Sequence, residues 1–330
     1  MKILIAGGAG YVGSALVPKL QERGYEVDVS DLLWFGNQLP KGTRILEKDI
    51  FDLKESDVQN YDQVVFLAGL SNDPMAEFSP AKNFIFNASA PTYLAYIAKR
   101  AGVRKFIHGG SCSVYGYTVN QLYDETSPAS SNYPYGISKL QGEQAVLQMA
   151  DDTFSVICFR KGTVSGYSPR MRLDLIVNTM FKTAIQTGEI TINNPSIWRP
   201  ILSIEDATNA YVRAIEASES ISGIFNVASG NYTVGEVGDL VKMAIEEHLG
   251  ISVRLNIHHK KDFRNYKVSI QKAENTLSFH PNHNVKCIVK NLIEHMDRFS
   301  DWDNPQYYNI DTLKLLSENG DRLRSLVEVG

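Results

Sequence analysis

An apolar run that turns into spaced glycines at the start of the chain sets the tightest limit on its fold. Lys2-Ile3-Leu4-Ile5-Ala6 reads as a strand, Gly7-x-x-Gly10-x-x-Gly13 as a tight turn, and residues 12–23 as a helix. Glycines let a backbone approach a pyrophosphate closely. The helix N-terminus behind them offers free N–H groups and a partial positive charge. Glycine spacing alone is a weak signal, since a turn can carry glycines with no ligand. The strand–turn–helix setting makes a dinucleotide cradle the stronger reading, with Gly7, Gly10, Tyr11, Val12 and Gly13 as its candidate contacts.

The same alternation continues down the chain. Strand-like runs at 25–30, 44–46, 64–68, 105–108 and 154–159 are separated by helical stretches, the longest at 80–101 and 134–150. Alternating strands and helices predict parallel strands joined by right-handed crossovers. Nearly all-apolar runs such as Val64-Val65-Phe66-Leu67 predict a sheet covered on both faces. The expected class is therefore α/β: a doubly wound parallel sheet with a smaller α/β C-terminal lobe. Beyond 166 the pattern loosens into a charged loop at 168–174, helices at 175–187, after Asp206 and at 234–249, and strands at 201–204, 224–227 and 253–257. One amphipathic helix is expected at 287–299. The expected division is 1–166, with 199–230 returning to it, against a lobe of 167–198 and 231–330.

Bulk properties exclude several classes. Thirty-three Lys plus Arg against 37 Asp plus Glu give a formal net charge of -4, without the basic excess of a nucleic-acid binder. No apolar run reaches the roughly 18 residues that span a bilayer. Cys112, Cys158 and Cys287 are odd in number and lack metal-ligand spacing, which suits a reduced cytoplasmic compartment. His258-His259 and His280-x-x-His283 have no third ligand at convincing spacing, so no metal is expected.

Asp31 closes the second strand, at the distance beyond the glycines where an acidic residue takes the ribose hydroxyls of a dinucleotide. A carboxylate there repels a 2′-phosphate, and no arginine stands among Leu32, Leu33 and Trp34 to receive one, so NAD is expected over NADP. Asp49 and Ile50 after the third strand, and Leu67, Ala68 and Gly69 at the end of the fourth, are further candidate cofactor contacts. Tyr135 and Lys139 are four apart at the start of a helix and share a face. A nearby ammonium and a bound nicotinamide cation would lower the phenol from its usual pKa of ~10. Such a tyrosine can take a hydroxyl proton while hydride leaves the same carbon. Ser111, at the end of the fifth strand, can hydrogen-bond the same substrate oxygen. The bland alternative for any one Tyr-x-x-x-Lys is a surface pair.

In combination the motifs are specific. Gly7-Gly8-Ala9-Gly10-Tyr11-Val12-Gly13, Ser111-Cys112-Ser113-Val114-Tyr115-Gly116 and Tyr135-Gly136-Ile137-Ser138-Lys139 resemble the extended short-chain dehydrogenase/reductase family, and within it the nucleotide-sugar epimerases and dehydratases. Pro80 with Asn87, Arg160, Arg199-Pro200 with Asp206, and Phe225-Asn226-Val227-Ala228-Ser229-Gly230 follow in matching order. The resemblance spans roughly 1–280. It implies a Rossmann-type domain for NAD, a C-terminal lobe for a nucleoside-diphosphate sugar, and a homodimer paired through the helical stretches 80–101 and 134–150. By position it implies Ser111, Tyr135 and Lys139 as the catalytic triad. Ser113, Asn178, Arg199 and Arg264 would contact substrate, the arginines being suited to a diphosphate.

The chain departs from the family at Thr163 and Ser165-Gly166, where Asn and Tyr-Gly are usual, and in Ser168-Pro169-Arg170-Met171-Arg172. The leading expectation is an NAD-dependent epimerase. A 4,6-dehydratase is the rival, and a non-catalytic NAD-sensing protein is a third reading, weakened by the complete triad. Dehydratases of the family resemble one another in carrying Thr-Asp-Glu where this chain has Ser111-Cys112-Ser113.

Overall fold

The computed structural model describes residues 1–259 and 264–318. The remaining residues of the expected C-terminal lobe, 260–263 and 319–330, lie outside the described residues. Seven parallel strands form the main sheet, in the order Gly223–Val227, Ser155–Lys161, Lys105–Gly109, Gln63–Phe66, Lys2–Ala6, Glu26–Ser30, Arg44–Leu46. Strand side chains alternate between faces. Accordingly Ile3 and Ile5 join one buried cluster, packed under the helices Gly13–Glu22 and Ile204–Glu216. Leu4 and Ala6 join another on the opposite face, under Ala90–Arg100. The α/β expectation holds. The order reverses direction between Lys2–Ala6 and Gln63–Phe66, and a crevice outside the carboxyl ends of strands at such a point is where open α/β sheets hold ligands.

Beyond the sheet, Trp198–Ser203 pairs with Thr163–Ser165 and with Gly230–Thr233. Glu189–Asn193 pairs with Arg254–His258, and Tyr117–Tyr123 with Asn265–Val268. A separate apolar core gathers Phe181, Ile190, Val241, Val289 and Phe299. Along Trp198–Ser203, Ile201 enters that core while Leu202 enters the sheet core, so one strand joins the two. Residues expected in the second lobe also cross back, for Ala273, Leu277 and Phe279 pack in the sheet core.

The long helical stretch expected at 80–101 is interrupted. Pro80–Phe84 and Ala90–Arg100 flank a π-turn at Ile85–Ser89. Such turns recur at functional sites, and this one carries buried Asn87. The helix expected at 287–299 runs from Val285–Glu294 and closes in a 3-10 turn, Met296–Phe299. Among the described residues no helix is long and apolar enough to cross a membrane.

Candidate active site

The glycine turn is shaped by close approaches. Gly7 has φ +79°, and a Cβ there would stand 2.4 Å from the Ala68 amide nitrogen. A Cβ at Gly13 would stand 2.4 Å from the Gly8 carbonyl oxygen, so the third glycine lets the helix close onto the turn. Gly13 itself does not line the cavity. Gly7, Gly10, Tyr11 and Val12 do, together with Asp31, Asp49, Ile50, Leu67, Ala68 and Gly69, around a volume of about 630 Å³. Asp31 accepts hydrogen bonds from the Ala9 amide at 3.0 Å and the Leu33 amide at 2.9 Å. Burial raises its pKa, and the Leu33 and Ala9 amides oppose that rise. Asp49 caps the turn Ile50–Asp52 through the Phe51 amide at 3.0 Å. The glycine cradle, the helix N-terminus and the half-buried Asp31 carboxylate around one cavity fit a dinucleotide.

Ser111 and Tyr135 line the same cavity. Ser111 follows the strand Lys105–Gly109 and accepts a hydrogen bond from the Ser113 amide at 3.1 Å. Tyr135 and Lys139 share the helix Pro134–Leu147, with the Lys139 Nζ 5.9 Å from the Tyr135 ring centre. The expected acidic phenol is opposed by its own burial. Burial pushes Tyr135 up to about 12, and hydrogen bonding to Ser111 offsets only part of that. Lys139, only 5% exposed, is pulled down to about 7 by burial and then by the charge of Lys161. An ammonium that is partly neutral at physiological pH is a weak partner for a phenolate, so the acidifying charge has to come from elsewhere, as a bound nicotinamide cation would supply it.

Arg199 and Arg264 line the cavity beside Tyr266. The Arg199 guanidinium lies 5.6 Å from the Tyr266 ring centre and donates to the Trp198 carbonyl at 2.9 Å and to the Arg264 carbonyl. Arg264 donates to Asp73 Oδ2 and lies 5.5 Å from the Tyr133 ring. Ser113 lines the cavity with its hydroxyl 3.3 Å from the Tyr266 hydroxyl. Asn178 departs from the substrate-contact expectation. It is fully buried, accepts from the Gly166 amide at 2.9 Å, and donates to the Arg172 carbonyl at 2.7 Å and the Tyr11 hydroxyl at 3.1 Å. With its amide engaged in this way it shapes the loop 166–172 and does not reach the cavity. His283 is also engaged, with Nδ1 2.8 Å from Asp206 Oδ1.

Several cavity residues had no sequence signal of their own. The loop at 168–174, expected as charged, is an extended buried strap. Met171 and Leu173 point into the apolar core while Arg170 and Arg172 face the cavity. Arg172 forks onto Asp174, with two hydrogen bonds of 2.9 Å, and also donates to Ser71 at 2.9 Å. The Arg170 guanidinium lies 3.7 Å from the Phe35 ring centre, and burial, then Arg172, pulls its pKa down to about 9. Lys161, at the end of Ser155–Lys161, is a second cavity lysine, pulled down to about 8 by burial and then by Arg172. The alternation Arg170-Met171-Arg172-Leu173-Asp174 was the available clue, a period of two between polar and apolar residues.

Comparison with known proteins agrees with this geometry. A family model, the NAD dependent epimerase/dehydratase family, matches residues 3–228. A UDP-glucose 4-epimerase of Neisseria meningitidis serogroup C is 25% identical over 292 residues, covering 79% of this chain and 86% of that protein. UDP-glucuronic acid decarboxylase 5 of Arabidopsis thaliana is 27% identical over 295 residues, covering 85% of each. Among solved structures, MoeE5 in complex with UDP-glucuronic acid and NAD superposes with a TM-score of 0.80 at 23% identity, over 90% of this chain and 99% of that one.

Proposed function

The chain belongs to the NAD dependent epimerase/dehydratase family, and we propose that it is an epimerase of nucleoside-diphosphate sugars. The observation that carries the reading is the shared cavity, which the glycine cradle, Asp31, Ser111 and Tyr135 all line. Bound NAD supplies the hydride acceptor and, on return, the hydride donor. Tyr135 takes the proton of the sugar hydroxyl and later restores it. Ser111 orients that oxygen, and Lys139 sets the charge beside the phenol. Asp31 holds the adenosine ribose, and Asp49, Ile50 and Leu67 to Gly69 wall the cofactor side. Arg199 and Arg264 bind the diphosphate with planar forks.

A dehydratase is the second reading, and the side chains after Ser111 argue against it. Cys112 is buried with Sγ against the Arg160 carbonyl at 3.1 Å, and burial drives its pKa upward. Ser113 is a neutral hydroxyl engaged with Tyr266. Neither is an acid or base for losing water. Relatives include a UDP-glucuronic acid decarboxylase as well as UDP-glucose 4-epimerases, so the fate of the keto-sugar is the distinguishing chemistry. We also propose a cytoplasmic homodimer paired through the helical stretches 80–101 and 134–150. The division into a cofactor domain of 1–166 with 199–230 and a substrate lobe likewise stands as a proposal. Incubating the protein with a panel of nucleotide sugars and reading the products by NMR tests the function. An inverted carbinol centre supports it, and a decarboxylated or dehydrated product replaces it with the corresponding activity.

A further inference from the structure

We propose that Arg170 is a further cofactor-binding residue, one that takes the pyrophosphate of the dinucleotide alongside the glycine turn. The inference rests on the dinucleotide cradle alone and is independent of the fate of the sugar.

The strap 168–174 is built onto that cradle. The Ser168 hydroxyl donates to the Tyr11 carbonyl at 2.6 Å and lies 2.8 Å from the Ser14 hydroxyl. The Arg170 amide donates to the same Ser14 hydroxyl at 3.1 Å. Both serines are fully buried, and Ser14 stands in the first turn of the helix Gly13–Glu22. The backbone of Arg170 is thus fastened to the helix N-terminus, where a pyrophosphate finds free N–H groups. Its side chain runs from there to the stretch after Asp31, with the guanidinium 3.7 Å from the Phe35 ring centre. Tyr11, Val12, Asp31, Phe35 and Arg170 all line the cavity. A dinucleotide's pyrophosphate has to cross this same interval, between the helix N-terminus and the ribose that the acidic residue holds.

The guanidinium nitrogens are placed differently. Nη2 donates to Asn309 Oδ1 at 2.5 Å, and Nε is enclosed without a partner. Nη1 has no hydrogen-bond partner among the described residues and is not enclosed. Arg170 as a whole is only 3% exposed and lines the cavity, so Nη1 is what it presents to a ligand. Asp174 holds Arg172 and Asp73 holds Arg264, whereas Arg170 forms no ion pair with a described residue. A buried guanidinium without an anion is costly. A phosphate oxygen is a fitting anion, because it matches the geometry of the guanidinium donors. Phe35 against the plane and Asn309 at one edge already orient the group, and Asn309 is itself fixed by donating to Ser71 at 2.7 Å. Little ordering is left to be done when the anion arrives. The diphosphate of a sugar nucleotide offers the same chemistry, but Arg170 is anchored at Tyr11 and Ser14, while Arg199 lies against Tyr266 and Arg264 against Tyr133.

The test titrates the full chain, freed of cofactor, with NAD, NADP, adenosine and UDP. Calorimetry reads the nucleotides, and ligand-observed NMR reads adenosine, so that weak binding still counts. Arg170→Met keeps an unbranched apolar chain against Phe35 and removes the cation. NAD affinity should fall about 10- to 100-fold, and NADP affinity by the same factor, while adenosine and UDP stay within about threefold. Arg170→Gln, which retains a donor for Asn309, should show the same pattern and carries the test if the first variant does not fold. Arg170→Lys should recover part of the loss. An unchanged NAD affinity overturns the proposal. An equal loss for adenosine overturns it too, since a strap that merely walls the adenosine site would lower both. A loss confined to UDP gives the guanidinium to the sugar nucleotide, and a loss confined to NADP gives it to a 2′-phosphate; each rejects the pyrophosphate contact. A wild type that binds neither dinucleotide fails earlier, at the cradle, and takes the role of Arg170 with it.

Discussion

The Lys139 ammonium stands over the face of the Tyr135 ring, 5.9 Å from its centre, and Lys161 lines the same cavity. Burial, with the charge of Lys161 acting on Lys139 and that of Arg172 acting on Lys161, brings the two lysines to about 7 and about 8. The site thus holds two cations that are easily neutralised next to a phenol that burial makes reluctant to ionise. On the proposed reading, a bound nicotinamide cation would add the charge that favours the phenolate.

Tyr135→Phe removes the proton acceptor and leaves the cradle at Gly7, Gly10 and Asp31 intact. Turnover should fall by about 100- to 10,000-fold while NAD binding, read by calorimetry, stays within a few-fold. Near-wild-type turnover in the purified variant would remove Tyr135 from its role.

Lys139 also predicts a pH dependence of stability. Its pKa is about 7 when folded against an ordinary 10.5. Below about pH 7 it is charged in both states and the burial penalty is fully present. Between the two values the unfolded chain binds more protons, so stability rises with pH. Cofactor-free wild type should gain on the order of 2–3 kcal/mol between about pH 7 and pH 9.5 relative to Lys139→Met. Urea midpoints at the two pH values check this, and parallel pH profiles would contradict it.

The parallel sheet, the glycine turn and the Tyr135–Lys139 helix were legible because each is written in local periodicity. The strands Tyr117–Tyr123, Thr163–Ser165, Glu189–Asn193, Gly230–Thr233 and Asn265–Val268 were not. Several are only three to five residues long, and all are held by partners distant in sequence, so their apolar pattern is too brief to stand out. The same non-locality hid Asp73, Lys161, Arg170 and Arg172, which line one cavity from three separate chain segments. Asn178 shows the converse. Its position matched a family substrate contact, yet the hydrogen bonds of this loop turn its amide inward.

Asp31 should make the protein favour NAD over NADP. Arg170 lines the same cavity and its charge acts on Asp31, but its guanidinium is committed to the Phe35 ring and to Asn309 at 2.5 Å. Asp31→Ala should therefore narrow the NAD preference without inverting it. Titrating the cofactor-free protein with both dinucleotides measures this, and equal or tighter NADP binding by the wild type would refute the ribose assignment.

Lys105 is fully buried, and its Nζ donates to the carbonyls of Ala214 at 2.9 Å, Ile215 at 3.2 Å and Ala217 at 2.5 Å. It closes the C-terminal end of the helix Ile204–Glu216 beneath the sheet. Lys105→Met keeps the volume and strands those acceptors. We expect a loss of about 3 kcal/mol in denaturant unfolding, with the ratio of NAD to NADP affinity unchanged.

The fate of the keto-sugar separates epimerisation from dehydration. Losing water requires a base at one carbon and an acid at the hydroxyl leaving the next. For the first role, neither Cys112 nor Ser113 is a carboxylate that could serve as the base. For the second, the segment after Ser111 offers a buried thiol turned toward the Arg160 carbonyl and a hydroxyl bound to Tyr266. With neither group supplied there, the keto-sugar is left to be re-reduced. Turnover in ordinary water should therefore conserve the substrate's mass, need no added NADH, and accumulate no 4-keto-6-deoxy sugar. Mass spectrometry of the products from a panel of nucleotide hexoses decides the matter, and a product lighter by one water with any of them would promote the dehydratase reading.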